Sequence, residues 1–176
     1  MYKRQTPNNT TNYQIGTGQF TLEAWIYPFA GTTSQFIACF HQGTSRVLAL
    51  YLAAWHTTYN SAKLTVYDYV SSPPTTIIGN SSTNAYPNRD CVTYYHWHHI
   101  ALSRDGSNNM RLFLNGNLLA KISNTSNYNN DEITFGQRLE GASSLWYGGY
   151  ISNARFVKGQ SLYTDTFTPP TTLLDG

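Results

Sequence analysis

The sequence predicts an all-β protein built from two packed antiparallel sheets, on three observations. Short segments that alternate apolar and polar residues recur between turn-forming residues, and no stretch of ten or more residues has helical periodicity. The chain contains 22 Thr and 14 Tyr while only 11% of its residues are charged, a composition that favours strands over helices. An Asn-Gly pair, the strongest short-range hairpin signal, joins two apolar runs.

The hairpin signal lies at Asn115-Gly116, between apolar residues 110–114 and 117–122. A type I′ turn needs a positive φ at both central residues, which Asn followed by Gly accepts best. Because such a turn fixes the register, it predicts these cross-strand pairs: Leu114 with Asn117, Phe113 with Leu118, and Leu112 with Leu119. A third strand over residues 97–104 completes a predicted three-strand meander.

Further strands are predicted wherever apolar residues alternate between turns. They cover residues 20–27, 35–40, 46–52, 62–69, 75–78, 131–135 and 146–157, the last with a bulge or bend at Gly148-Gly149. In the first of these strands, Phe20, Leu22, Ala24 and Ile26 share one face and Thr21, Glu23, Trp25 and Tyr27 the other. The length suits one domain over residues 1–176, with a polar N-terminal segment 1–19 and an extended tail 162–176 that contains Pro169-Pro170.

Charge and hydropathy exclude several classes of partner. The net charge is +2 and the basic residues are scattered, so no nucleic-acid groove is predicted. No run of 18 apolar residues predicts a membrane span, and the N-terminus predicts no signal peptide. Cys39 and Cys91 are interpreted as two buried thiols, with a disulfide as the alternative in an oxidising compartment.

Several motifs, in order along the chain, carry a family resemblance. They read G-T-G-Q-F-T-L-E-A-W-I-Y-P from Gly16, W-H-H-I-A-L-S-R-D-G from Trp97, L-F-L-N-G from Leu112, T-F-G from Thr134, and G-G-Y-I-S-N-A-R-F-V-K-G from Gly148. Together they resemble the laminin G-like, concanavalin A-like jelly-roll domains. The resemblance implies a jelly-roll sandwich, and it implies a packing and hydrogen-bonding role for His99. Because this family is diverse in function, the resemblance indicates fold more strongly than activity.

The C-terminal motif, which continues as S-L-Y-T-D-T-F-T-P-P from Ser161, resembles modules of bacteriophage structural proteins and large bacterial surface proteins. The expected function is therefore that of a non-catalytic virion protein, a capsid decoration or tail-associated subunit that also contacts host-surface glycans. Its expected partners are other virion subunits, copies of itself and cell-surface polysaccharide, and its expected location is the virion or the extracellular space. The first alternative is a secreted or surface carbohydrate-binding module, and the second is a glycoside hydrolase.

Catalytic and metal sites are not predicted. Glucanase relatives of this fold carry paired acids at alternate positions of one strand, whereas no predicted strand here has two acids at i and i+2. His96 and His98 share a strand face and form a possible metal pair, but a structural role is favoured because further ligands lack suitable spacing. Rim calcium, for which Asp90 and Asp131 are the available acids, matches no motif, so no cofactor is expected.

Two clusters of aromatic and polar residues are the predicted ligand-binding positions. One consists of Trp55, His56 and Tyr59, and the other of Trp146 and Tyr147. Rings flanked by Asn and Thr can stack on a sugar while hydrogen bonds hold its hydroxyl groups. The alternative, which is favoured, is that these rings cap the ends of the sandwich core.

The last strand is a predicted partner edge. The polar N-terminal segment lacks the alternation of a full first strand, so residues 150–157 could remain at an open sheet edge, where a neighbouring chain could add a strand. The residues predicted to form this edge are Tyr150, Ser152, Ala154, Arg155 and Phe156. In the alternative, residues 1–15 fold back and cover the edge.

Overall fold

A computed structural model of the protein describes residues 4–5, 10–56, 60–78, 91–138 and 145–171. It contains twelve strands in these ranges: β1 (Arg4–Gln5), β2 (Phe20–Pro28), β3 (Gln35–Gln42), β4 (Ser45–His56), β5 (Ser61–Asp68), β6 (Thr75–Ile78), β7 (Cys91–Thr93), β8 (His98–Arg104), β9 (Asn109–Leu114), β10 (Asn117–Ser123), β11 (Glu132–Phe135) and β12 (Gly149–Lys158). One short helix, α1 (Thr10–Tyr13), follows β1. Among the described residues, no helix is long and apolar enough to cross a membrane.

The strands form two antiparallel sheets that face each other. The seven-stranded sheet has the order β1-β11-β3-β4-β5-β6, with β7 also paired to β5. The five-stranded sheet has the order β10-β9-β8-β2-β12. The predicted two-sheet antiparallel sandwich is therefore confirmed.

The core lies between the sheets and follows the strand alternation. On β2 the inward residues Phe20, Leu22, Ala24 and Ile26 are all buried in it, as their spacing predicts. They pack against aliphatic residues of β4 and β5 in the opposite sheet, such as Leu50 and Leu64. The side chains that alternate with them on β2 point to the outer face of the five-stranded sheet.

The turn between β9 and β10 has the predicted geometry, because φ is 51° at Asn115 and 78° at Gly116. The Oδ1 atom of Asn115 also accepts the backbone N–H of His99 at 3.0 Å, which ties the turn to β8. The pairs nearest the turn are as predicted, but Leu112 faces Ala120 instead of Leu119. A bulge between Leu118 and Ala120 causes this shift, and it lets Leu119 pack against the core while Leu118 stays exposed.

The last strand begins at Gly149 instead of residue 146, and its bulge is not at Gly148-Gly149. The register with β2 shifts between Ser152 and Arg155, where Asn153 has a φ of 49°. The two glycines instead bring the preceding loop against β2, since Phe29 N donates to Gly148 O at 2.7 Å. The glycine pair therefore marks a place where two backbone segments approach closely. Glycine in a strand can indicate either such an approach or a bulge.

The chain after β12 crosses the outer face of the five-stranded sheet as an extended C-terminal segment, residues 160–171. Hydrogen bonds attach it along its length, among them the following three. Leu162 N donates to Thr21 Oγ1 at 2.8 Å, Phe167 N donates to Gly116 O at 3.0 Å, and Trp25 Nε1 donates to Pro170 O at 3.1 Å. This segment covers one half of the outer face and leaves the other half open.

Candidate functional site

The covered half contains a buried polar network centred on Glu23. His99 Nε2 lies 3.1 Å from Glu23 Oε2, and the Tyr163 hydroxyl donates to the same oxygen at 2.8 Å. Arg155 donates to Glu23 Oε1 from Nε at 2.8 Å and from Nη2 at 2.5 Å. Burial alone would raise the pKa of Glu23, but the hydrogen bonds from His99, Tyr163 and Arg155 lower it below the usual value.

Aromatic rings of the C-terminal segment close this network from solvent. Tyr163 and Phe167 stack with their centroids 3.6 Å apart, and both meet the edges of His99 and Phe113. Burial, together with the hydrogen bond to Glu23, raises the pKa of Tyr163 to about 12. Glu23 and His99 are therefore fully buried beneath the C-terminal segment, in what amounts to an additional small core.

The open half presents a continuous group of aromatic rings, here called the aromatic strip: Trp25, Tyr27, Phe29, Tyr95, Trp97 and Tyr150. Four of them have large exposed fractions: 59% for Tyr150, 49% for Tyr95, 47% for Trp97 and 38% for Phe29. The centroid of Tyr27 is 5.5 Å from Trp97 and 5.9 Å from Tyr150. Phe29 lies 5.4 Å from Tyr150 and 6.0 Å from Tyr95, so the rings form one contiguous surface.

Three elements hold the strip. Strand β2 supplies Trp25 and Tyr27 from alternate outward positions, with Phe29 directly after the strand, and β12 places Tyr150 opposite Tyr27. The turn before β8 supplies the other two rings. Tyr95 there has a φ of 64°, and its N–H donates to Pro28 O at 2.8 Å.

The buried His98 side chain links the same turn to its neighbours. Its Nε2 lies 3.0 Å from Thr93 O, and its Nδ1 lies 3.1 Å from the Asn115 amide nitrogen, so Nδ1 accepts and Nε2 donates. Burial lowers the pKa of His98, which favours this neutral form. These two hydrogen bonds give His98 a structural role in this turn. Among the residues that the structure describes, no group of three His, Cys, Asp or Glu side chains could hold a metal.

A hollow of about 380 Å³ opens at one end of the strip. Trp25 and Trp97 line it together with three uncharged polar residues, Ser152, Asn153 and Thr171. The C-terminal segment contributes Thr171 directly, and it fixes Trp25 through the bond to Pro170 O. Aromatic surface beside a few hydroxyl and amide groups is the chemistry that binds a sugar ring.

Of the ligand positions predicted from sequence, Trp146 and Tyr147 have described side chains. Trp146 is 42% exposed, whereas Tyr147 is fully buried in the core, so its ring is not available to a ligand at the surface. The side chains of Trp55 and His56, and the whole of Tyr59, lie outside the described residues. The sequence did contain part of the signal for the strip, since Trp25 and Tyr27 share one predicted face of this strand and Phe29 follows at the same spacing.

The residues of the predicted partner edge have mixed surroundings. Strand β12 is the last strand of the five-stranded sheet, and in the described part of the chain no strand pairs along its outer side. Strand β1 pairs with β11 in the other sheet. Tyr150 and Ser152 contribute to the strip and the hollow, and Arg155 binds Glu23. Phe156 packs in the core 5.7 Å from Phe40, while Ala154 is exposed. A partner at this edge stays a prediction.

The outer face of the seven-stranded sheet has a different character. Phe36 and Tyr51 stack there with centroids 5.2 Å apart. The guanidinium of Arg46 lies 4.3 Å above the Tyr69 ring and donates to the Tyr69 hydroxyl at 2.7 Å, while Arg138 lies over Phe36. This face combines aromatic rings with cationic groups, whereas the aromatic strip is uncharged.

Comparison with known proteins agrees with the fold. Residues 4–160 match the family described as the concanavalin A-like lectin/glucanases superfamily, of the laminin G type. The chain belongs to this superfamily. The jelly-roll fold implied by the sequence resemblance is therefore confirmed. Among curated proteins, none matches the chain significantly in sequence.

Solved structures share the superfamily fold at low sequence identity. One is the CBM40 module of the Ruminococcus gnavus IT-sialidase bound to α2,6-sialyllactose, with a TM-score of 0.60 and 14% identity over 93% of this chain and 94% of that one. Another is the native heptameric SAP-like pentraxin of Limulus polyphemus, with a TM-score of 0.57 and 15% identity over 88% and 75%. Domain 4 of the Geobacillus stearothermophilus arabinanase AbnA, in complex with arabinotriose, has a TM-score of 0.55 and 17% identity over 82% and 63%. At these identities the similarity establishes the fold alone.

Proposed function

We propose that this domain is a non-catalytic glycan-binding module whose site is the aromatic strip and its hollow. The observation that carries the proposal is the exposure of four large rings on one contiguous surface beside Ser152, Asn153 and Thr171. A contiguous exposed aromatic surface on a soluble domain usually marks an interaction site. Its rim of hydroxyl and amide groups suits a sugar better than a purely apolar ligand.

The roles of the carboxylates support the non-catalytic part of the proposal. Glu23 is enclosed by three hydrogen-bonding partners beneath the C-terminal segment. Asp68 accepts hydrogen bonds from Ser126 and Tyr128 at one end of the core. Neither carboxylate faces the hollow, so neither could donate a proton to a glycosidic oxygen of a ligand bound there.

The similar structures give independent support for a glycan as the ligand. One of the modules that share this fold is described as bound to sialyllactose, and another as bound to arabinotriose. These ligands belong to those proteins. They indicate only that this sandwich is compatible with sugar recognition of more than one kind.

A subunit role in a phage particle remains the finer proposal, and it rests on the sequence resemblance. The position of β12 at the end of its sheet is compatible with such a role, because an edge strand can accept a strand from a neighbouring subunit. Mass spectrometry of purified particles would test it. Absence of the protein from the particles would leave the free carbohydrate-binding module as the better description.

Binding measurements on two matched variants test the glycan site. Wild type, Trp97→Ala and Trp146→Ala are screened on a glycan array, and hits are measured by calorimetry. Both tryptophans are about equally exposed, but only Trp97 lines the hollow. We expect Trp97→Ala to weaken binding at least about fivefold, since a stacked ring contributes on the order of 1 kcal/mol. Trp146→Ala should bind like wild type.

Thermal unfolding of the same variants separates loss of the site from loss of the fold. Both substitutions remove exposed rings, so both melting temperatures should stay close to that of wild type. Binding that survives Trp97→Ala and disappears in Trp146→Ala would move the site to the position predicted from sequence. No binding to any glycan would contradict the proposed function.

A further inference from the structure

We infer that the aromatic strip takes a neutral oligosaccharide of at least two sugar units, laid lengthwise from the hollow toward Tyr150 and Phe29. The inference rests on the proposed function and specifies its ligand class. It excludes a single charged terminal sugar as the preferred ligand. Two properties of the strip support it, its lack of charge and its length.

The residues that would contact the ligand carry no formal charge. The strip consists of Trp, Tyr and Phe side chains, and the hollow adds Ser152, Asn153 and Thr171. The nearest ion pair on this face, Arg155 with Glu23, is committed to the network under the C-terminal segment. His96, between Tyr95 and Trp97 in sequence, has its Nδ1 atom 2.9 Å from Tyr94 O.

Among the described residues that line the site, an anionic sugar would therefore find no cation to pair with. Moving a carboxylate from water onto an aromatic surface costs free energy unless a cation or several hydrogen-bond donors replace the lost hydration. A neutral sugar has no such cost, because its C–H face is apolar and its hydroxyl groups remain at the rim. Arg46 and Arg138, which lie over aromatic rings, are on the outer face of the seven-stranded sheet. Arg104, which lies over Phe20 and Tyr128, is fully buried.

The length of the strip exceeds one sugar ring. From Trp25 to Phe29 the backbone advances four residues, which corresponds to about 13 Å at the rise of an extended strand. Tyr150 continues the surface beside Tyr27 and Phe29, with ring centroids 5.9 Å and 5.4 Å away. A monosaccharide in the hollow would contact Trp25 and Trp97 and leave these outer rings bare. A longer chain would cover both regions.

Two variants separate the two regions of the strip. Calorimetry measures wild type, Trp97→Ala and Tyr150→Ala against cello-, malto- and arabino-oligosaccharides of increasing length, and against lactose paired with 3′-sialyllactose. We expect affinity for one neutral series to rise with length. Trp97→Ala should weaken every length. Tyr150→Ala should weaken the longest ligands about fivefold and leave the shortest within about twofold, since Tyr150 meets only the outer units.

The outcomes distinguish this inference from the proposed function. Tighter binding of sialyllactose than of lactose, or affinity independent of length, would overturn the inference while glycan binding itself stands. Loss of sialyllactose binding in Arg46→Ala, with Trp97→Ala unaffected, would place an anionic ligand on the opposite sheet. If no glycan binds at all, the proposed function and the inference fail together.

Discussion

The covered and open halves of the outer face lie on the same strands but have opposite characters. On β2, Thr21 and Glu23 are completely buried, although they point away from the sandwich core. Four residues after Glu23 on the same face, the ring of Tyr27 and its neighbours in the aromatic strip are accessible to solvent. The boundary falls at Trp25, which bonds to Pro170 O and also lines the hollow.

The difference shows that the C-terminal segment, and not the sheet, determines what each half can do. Where Tyr163 and Phe167 cover the sheet, a charged network is enclosed and becomes structural. Where the segment ends, the same outward alternation leaves rings in contact with water. Variants that disturb the cover should therefore affect stability, whereas variants of the strip should affect binding.

The largest expected effect is that of Glu23→Gln. The amide keeps the shape of the side chain but leaves Arg155 without its buried counter-charge and presents an N–H group to one of its donors. Removing one member of a buried ion pair costs about 3–5 kcal/mol, and because the Arg155 side chain is 23% exposed, this variant should fall near the lower end. Denaturant unfolding measures the loss.

Asp165→Asn is the matched control for that variant, because Asp165 is an exposed carboxylate in the same C-terminal segment. Its free energy of unfolding should stay within about 0.5 kcal/mol of wild type. Equal stabilities of Glu23→Gln and Asp165→Asn would mean that the network under the cover contributes nothing measurable. The covered half would then contribute no more to the free energy of unfolding than an exposed position does.

Gly116→Ala should have the next largest effect. Its φ of 78° costs a residue with a Cβ about 1–2 kcal/mol. A Cβ at this position would also clash with the carbonyl oxygen of Phe167 and lie 3.0 Å from Pro169 Cδ, so the C-terminal segment must move. We expect a total loss of about 2–3 kcal/mol in denaturant unfolding and faster proteolysis of the segment.

Gly43→Ala isolates the part of this loss that comes from the segment. Gly43 has a similar φ of 57°, but a Cβ there would meet nothing within 4 Å. It should therefore cost only the backbone term of about 1–2 kcal/mol and leave the proteolysis rate unchanged. Should the two glycine variants behave alike, contact between Gly116 and the segment would be unimportant for the cover.

The smallest effect is expected from mild acid. Burial by itself raises the pKa of both Glu23 and Asp68, but hydrogen bonds outweigh it and lower each pKa below the ordinary 4.5 and 3.8. The unfolded state therefore binds protons first, so stability is full above these ordinary values and falls as the pH drops through the folded values. The melting temperature should be flat near neutral pH and decline below about pH 4.5.

Glu23→Gln sharpens the acid experiment, because it removes one of the groups that cause the decline. Its melting temperature should fall less steeply between pH 4.5 and pH 3 than that of wild type. Identical slopes would show that Glu23 does not contribute to the acid sensitivity. Asp68 and the turn residue Asp105, whose pKa is also lowered, would then be the groups responsible.

Most of the fold could be predicted from local patterns. The alternation on β2 predicted its buried face, and Asn115-Gly116 predicted the turn that the structure contains. Both features depend on residues close together in the chain. Two errors, the bulge at Asn153 and the true start of β12 at Gly149, concern a strand that pairs with the distant β2. The third, the shifted partner of Leu112, comes from a bulge within the hairpin, where Leu119 packs against the core.

The candidate site was harder to predict, because aromatic residues look alike in sequence whether they are buried or exposed. Trp146 and Tyr147 are adjacent, yet one is exposed and the other is fully buried. Tyr95 and Trp97 belong to one segment, and Tyr150 lies about 50 residues further along the chain. Only the pairing of β12 with β2 brings Tyr150 beside Tyr27. The pattern of residues along the chain does not show which strands pair with each other.

The sequence by itself determined that the chain forms a sandwich, which side chains of β2 share a face, and where the turn between β9 and β10 lies. These features follow from side-chain alternation and from the backbone freedom of individual residues, which are properties of short segments. Only the tertiary structure decided which outward residues would be covered and which left open. That choice depends on the path of the C-terminal segment across the sheet, fixed by contacts such as Phe167 N to Gly116 O and Trp25 Nε1 to Pro170 O between residues far apart in the chain.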